Sequence, residues 1–207
     1  MKEILIYCEG GGQWRATREM LTKGFREFFK ELDVIAKQRK ISFRPLACGS
    51  RYEAYQKFQL SLKTNKEAFN ILLVDAEAPV EQLQQPWLHL NKNDNWNNFG
   101  CTNEHCHLMV QTMEAWFFAD HEALTKFYGK EFQAKPFLKI SDIEIIDKNK
   151  LEPTLKKATR KTTKGEYHKI QHGAQLLGLI APIKVRQASI HCDQMFKTIS
   201  SLMTDAG

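Results

Sequence analysis

Residues 69–77 read FNILLVDAE. A short apolar run rich in aliphatic side chains, closed by an acid, is the pattern of a strand buried on both faces. Asp75 stands at its carboxyl end. The chain opens on a second segment of the same kind, MKEILIYCEGGG, residues 1–12. There Ile4 to Cys8 form the strand, Glu9 follows at once, and three glycines come next. Between the two lie a helical stretch over residues 14–39, a strand over 42–47 and a helix over 52–62. In the first of these Met20, Leu21, Phe25, Phe28, Phe29, Leu32 and Ile35 recur at helical spacing. The order β-α-β-α-β with short connections defines an α/β class: a Rossmann-like, mostly parallel sheet flanked by helices.

Further along, residues 82–100 read as a polar loop with Trp87, Trp96 and five asparagines. Residues 107–110 suggest a fourth strand and 114–128 one helix. Segments 152–160 and 172–179 are helix candidates. The tail, 182–203, reads as a single helix with Val185, Ile190, Met195, Phe196, Ile199 and Leu202 as its buried stripe. The expected division is an α/β core over 1–130 and a mixed, helical C-terminal extension over 131–207 packed on it.

Ligands of open parallel sheets bind beyond the carboxyl ends of the strands. Glu9 and Asp75 each sit at such an end, and Glu77 is two residues past Asp75. Carboxylate oxygens suit Mg²⁺, which needs only a few protein ligands and keeps several waters. Three like charges in one crevice repel unless a cation or proton is shared among them. Glu9, Asp75 and Glu77 are therefore the expected metal ligands, for Mg²⁺ or Mn²⁺ in its place. Gly10 to Gly12, followed by Arg15 and Arg18 at a helix start, suit either a tight turn or a phosphate. They match neither the P-loop nor the dinucleotide fingerprint.

With 207 residues, 43% hydrophobic and 26% charged, the chain has material for a real core. No apolar run approaches the roughly 20 residues of a membrane span, and the first strand is too short for a signal peptide. A cytoplasmic protein with reduced thiols is expected; the five cysteines are odd in number and scattered. The net charge is +6, and residues 148–172 carry eight Lys/Arg against Glu152 and Glu166. Such a run is a solvated helix face, a phosphate-contacting surface, or both.

The segments YCEGGG (7–12) and LLVDAEAPV (72–80) together resemble the TOPRIM domain. In that family a glutamate after the first strand and a D-x-D after a later one carry the activity. The resemblance implies Glu9 as general acid/base or metal partner, and Asp75 and Glu77 as Mg²⁺ ligands, with D-x-E in place of D-x-D. A closer resemblance covers nearly the whole chain. ACGSR (47–51), CHLMVQTMEAWFFAD (106–120) and KGEYHK (164–169) are similar to a bacterial domain-of-unknown-function family in the TOPRIM-like group. Its members resemble accessory effectors encoded beside AAA/ABC-type ATPases in phage-defence loci. The resemblance implies a Mg²⁺-dependent nuclease acting on DNA or RNA, tRNA included, with an ATPase partner. The alternative is a non-catalytic regulatory subunit of an ABC-type ATPase complex. The oligomeric state stays open.

By the same resemblance Glu114 could complete the metal site; otherwise it is a helix-start acid favoured by the dipole. Asp120 reads as structural. Arg51, after a strand and a Gly-Ser turn, could reach a phosphate in the crevice. Lys164, Tyr167, Lys169 and His172 mix cations with a ring, as in single-strand binding, or cap a helix. The Trp87/Trp96 segment is a platform, an interface or a packed loop. Cys101, His105, Cys106 and His107 invite a zinc reading, but they lack a second ligand pair, and His107 reads better as a polar residue near the acidic site.

Overall fold

A computed structural model describes residues 1–81, 85–138 and 140–204. Four parallel strands form one sheet: β1 (Glu3–Cys8), β2 (Ser42–Ala47), β3 (Ala68–Asp75) and β4 (Cys106–Met109), in the order β2-β1-β3-β4. The chain leaves β1 toward β2 on one side, then returns to place β3 on the other. The β1/β3 boundary is thus the topological switch point, where a crevice opens at the strand ends. Cys8 stands opposite Leu73 across that boundary.

The alternation of side chains along each strand divides the core in two. Ile4, Ile6, Cys8, Ile71, Leu73 and Met109 face one layer. It is built mainly from α1 (Arg15–Phe28), α2 (Lys30–Gln38) and the helices after β4. Leu5, Tyr7, Leu72, Val74, Cys106 and Leu108 face the other. There α3 (Arg51–Thr64) and α4 (Pro86–Asp94) cover the sheet. Burial on both faces explains the near-continuous apolar strands. The one polar residue within FNILLV, Asn70, is buried and accepts a 2.6 Å bond from the Ser61 hydroxyl.

Several expected helices are broken. Residues 14–39 form α1 and α2, interrupted at Phe29. Residues 114–128 form α5 (Glu114–Phe118) and α6 (His121–Tyr128). Asp120 separates them: it accepts from Ala123 N at 3.2 Å as a helix cap, and from Ala181 N at 2.9 Å and Lys184 Nζ at 2.8 Å. The tail forms α9 (Pro182–Ala188) and α10 (Ile190–Thr204), after α7 (Lys148–Thr159) and α8 (Lys169–Leu177). The break at Ser189 rephases α10. Ile190 is left exposed, and Cys192 and Met203 join the core instead. Replacing Asp120 by Ala is expected to lower stability by about 2–4 kcal/mol, since a cap and a buried charge-assisted anchor are lost together. Chemical denaturation reads this directly.

The segment read as a polar loop contains α4; residues 82–84 of it lie outside the described residues. Its tryptophans are not displayed. Trp87 and Trp96 are buried, Trp87 donating to Thr102 O at 2.9 Å and Trp96 stacking on Tyr55 with ring centroids 4.2 Å apart. All five cysteines are free. Among the described residues no helix is long and apolar enough to cross a membrane.

Candidate metal centre

Glu9 leaves the end of β1 with its N–H donated to Leu73 O at 2.9 Å, which keeps it in register beside β3. Its carboxylate accepts from Asp75 N at 3.0 Å. Asp75, the last residue of β3, is buried, and its Oδ1 accepts from Met113 N at 2.7 Å. Glu77 adopts φ 60°, uncommon for a residue with a side chain, and its N–H is fixed on Gln111 O at 2.8 Å. One ligand oxygen from each of the three acids lies within 4.8 Å of the others. Oxygens bound to one Mg²⁺ at about 2.1 Å lie up to about 4 Å apart, so small side-chain rotations close the set. The donors are all carboxylate oxygens, which fits a hard divalent cation and not a thiol- or imidazole-seeking one.

Electrostatics strain this cluster. Burial pushes the Glu9 carboxyl up to about 7, against the Asp75 N–H bond and the nearby Arg51 guanidinium. Burial also holds Asp75 well above the ordinary carboxylate range, and the charges of Glu9 and Glu114 add to it. A divalent cation would relieve both.

Glu114 begins α5 and is buried, with a full set of partners. Thr112 Oγ1 donates at 2.9 Å, Tyr167 hydroxyl at 3.2 Å, and Lys169 Nζ lies at 3.2 Å. Burial works against the charge on Lys169, but the carboxylates of Glu114 and Asp75 outweigh it and raise the ammonium's pKa. Lys169 opens α8, almost a hundred residues past β3. Its arrival depends on Gly24, where a Cβ would stand 2.5 Å from Ala174 O, so only glycine lets α1 and α8 cross this closely.

The other residues singled out in the sequence go to different places. Arg51 reaches the crevice but is committed there: it pairs with Asp94 at 2.6 Å and donates to the Asp75 carbonyl. Trp96 lies under its guanidinium at 5.0 Å. The Asn/Trp-rich segment therefore braces the end of β3. Arg15 points to solvent beside Glu19, and Arg18 lies 3.8 Å from Glu53. The Tyr167 ring is buried, so no base can stack on it. His172 is buried with Nδ1 3.0 Å from the Tyr128 hydroxyl, and Lys164 sits 4.6 Å over the Phe127 ring, away from the acids. Cys101, His105, Cys106 and His107 do not converge among the described residues. His105 is bound to Asn70 O at 2.7 Å, and Cys106 is buried in the core. His107 lies near the amino end of β4, beside a small cavity shared with His191, away from the acidic crevice.

Sequence reasoning missed Lys148, which holds Glu77 Oε2 at 2.5 Å, and Asp94, the partner of Arg51. Lys148 lay in the noted basic run, but nothing local ties it to Glu77. Tyr167→Phe should lower stability by about 1–2 kcal/mol, because a buried carboxylate loses a donor. A shift in denaturant midpoint is the expected result.

Fold and site together define an α/β protein with a three-carboxylate crevice at the switch point of a parallel sheet. The chain belongs to the family DUF4276, a domain of unknown function, whose match spans residues 8–200. No curated protein matches the chain, and no solved structure does.

Proposed function

We propose that this protein is a metal-dependent phosphodiesterase, a nuclease effector using Mg²⁺ or Mn²⁺, with DNA or RNA (tRNA included) as substrate. The observation that carries the reading is the convergence of Glu9, Asp75 and Glu77 at the ends of two adjacent strands, within 4.8 Å. The TOPRIM resemblance expects the same pair of positions, one acid after the first strand and two after a later one. A bound divalent cation would supply charge neutralisation at a phosphate and a more acidic water. Asp75 and Glu77 are suited to hold it. Glu9 is suited to act as a third ligand or as the general acid/base, the two roles the resemblance implies. Lys169, charged and beside the acids, would sit near the phosphate oxygens. An effector of this kind needs restraint, and an ATPase partner in an anti-phage system is part of the proposal.

A second reading, a non-catalytic subunit docked on an ATPase, is favoured by one observation. Lys148 already neutralises Glu77 from within the chain, so the site can be balanced in part without a cation. The test incubates the protein, with and without the partner ATPase, with plasmid DNA and total tRNA in Mg²⁺, Mn²⁺ or EDTA, alongside Glu9→Ala and Asp75→Ala. Metal-dependent cleavage lost in both variants supports the nuclease. Cleavage that survives both substitutions sinks the site, and ATPase binding with no cleavage in any condition selects the second reading.

A further inference from the structure

Beside the three acids lies a cavity of about 610 Å³, within the ~300–1,000 Å³ span of small-molecule sites. Gly10, Gly11 and Gly12, at φ 113°, 90° and 64°, form one wall. At Gly11 a Cβ would meet the Arg18 backbone at 2.8 Å, so that wall is closed to other residues. Ile170, Ala174, Leu21 and Met113 add apolar surface, Ile170 close against Gly12. Glu9 and Lys169 belong to both the cavity and the acidic crevice.

The lining speaks against a second phosphate. Its charged groups are Glu9, Glu53 and Lys169; Glu53 lies 3.8 Å from Arg18, and Lys169 is already paired with Glu114. An apolar, glycine-walled space whose cation is already paired suits a flat neutral group. Two aromatic residues follow the lining loops in the chain, and those loops are bonded to each other through Gly10 and Gly49. Trp14 follows Gln13 and is 75% exposed; Tyr52 lies two residues past Ser50 and is 59% exposed. The Trp14 backbone is close to the wall through Thr17, whose hydroxyl lies between Trp14 O at 2.9 Å and Gly11 O and can donate to either. The other three tryptophans are buried. Gly12 and Gly49 hold the two sides together, since a Cβ at Gly49 would lie 3.3 Å from Gly12 O.

Resting on the metal-dependent reading above, we propose that this cavity and the exposed rings of Trp14 and Tyr52 receive the base and sugar of an unpaired nucleotide, with its phosphate toward the acids. The substrate class is then single-stranded or looped nucleic acid. A base within a duplex has both faces stacked and its edge paired, and must be extruded before it can enter such a pocket. An unpaired base offers its face freely to an aromatic ring.

The test measures binding with Ca²⁺ in place of Mg²⁺, and again in EDTA, so that it depends neither on hydrolysis nor on a phosphate facing bare carboxylates. A short labelled single-stranded RNA, the same sequence as single-stranded DNA, and each strand in a duplex are titrated into the full chain. Binding is read by anisotropy and by quenching of tryptophan fluorescence. Single strands are expected to bind about tenfold tighter than duplex, and to quench Trp14. Trp14→Ala and Tyr52→Ala should each lose about tenfold for single strands, while Trp14→Phe keeps most of the affinity. Both positions are exposed, and circular dichroism checks that the variants fold. The RNA and DNA arms separate the two sources of the nucleotide. Equal affinity for duplex, unchanged binding by both alanine variants, or no binding of any oligonucleotide overturns the proposal. Loss of cleavage in Glu9→Ala with unchanged discrimination by Trp14→Ala would retain the metal site and reject the pocket.

Discussion

Without divalent cations, Glu9→Gln is expected to melt several degrees above the natural sequence at pH 8. Most substitutions of buried groups destabilise; this one removes a charge that the fold holds at a cost. Burial raises the Glu9 carboxyl from 4.5 to about 7. An acid with a raised pKa in the folded state weakens folding above that value, and the penalty fades as pH falls through 7 toward 4.5. The size is up to about 3 kcal/mol, or on the order of 5 °C for a chain this long. Glutamine keeps an oxygen to accept the Asp75 N–H. The gain over the natural chain should be full at pH 8 and down to about a quarter by pH 5.

That difference between variants isolates Glu9 from other titrations. His107, held neutral by burial with its pKa lowered to about 4, destabilises both proteins equally as pH falls below 6.5. Mg²⁺ at pH 8 should raise the melting point of the natural chain, because ligand binding to the folded state adds RT ln(1 + [L]/Kd). It should raise Glu9→Gln by less, because one of the three carboxylate charges facing the cation is gone. A variant no more stable than the natural chain at pH 8 would show that the fold does not hold the Glu9 charge at a cost, and the metal reading would lose that support.

Arg51→Ala is expected to produce the largest loss of stability. Its guanidinium is 14% exposed and pairs with Asp94, which is 23% exposed. Removing one partner of a largely buried pair strands the other, and costs about 3–5 kcal/mol, on the order of 10 °C here. The Asp75 carbonyl also loses its donor, and Trp96 loses the cation above its ring. The double variant Arg51→Ala/Asp94→Ala should recover part of the loss, since no orphan charge remains. A double-mutant cycle read by denaturation gives the coupling. Additive effects would mean that the pair is not the link between the Asn/Trp-rich segment and the end of β3. Loosening Asp75 should also weaken Mg²⁺ binding in the single variant, although Arg51 touches no proposed ligand oxygen.

How far the sequence alone reached follows from the range of each interaction. Apolar runs of the right length, each closed by an acid, were enough to place β1 and β3 and to set Glu9 and Asp75 at strand ends. Parallel pairing then leaves them little freedom, because two adjacent strands in register bring their ends together. Glu77 followed from its spacing to Asp75. Helix breaks at Phe29, Asp120 and Ser189 were invisible because each continues an apolar pattern. Asp120 separates its two helices through Ala181 and Lys184, some sixty residues away.

The partners of the acids were decided only by the tertiary structure. Arg51 and Lys169 looked like free cations, and Tyr167 like a free ring, because charge and aromaticity read the same whether buried or exposed. Their commitments to Asp94 and Glu114 depend on how α3, α4, α5 and α8 pack. The same holds for Trp14 against Trp87 and Trp96: equal residues in sequence, one left in water and two buried by α3 and α4. Local patterning determined that this chain builds a parallel sheet with acids at its switch point. Long-range packing, which no short window of sequence contains, determined which charges stand ready for a ligand and which hold the site in place.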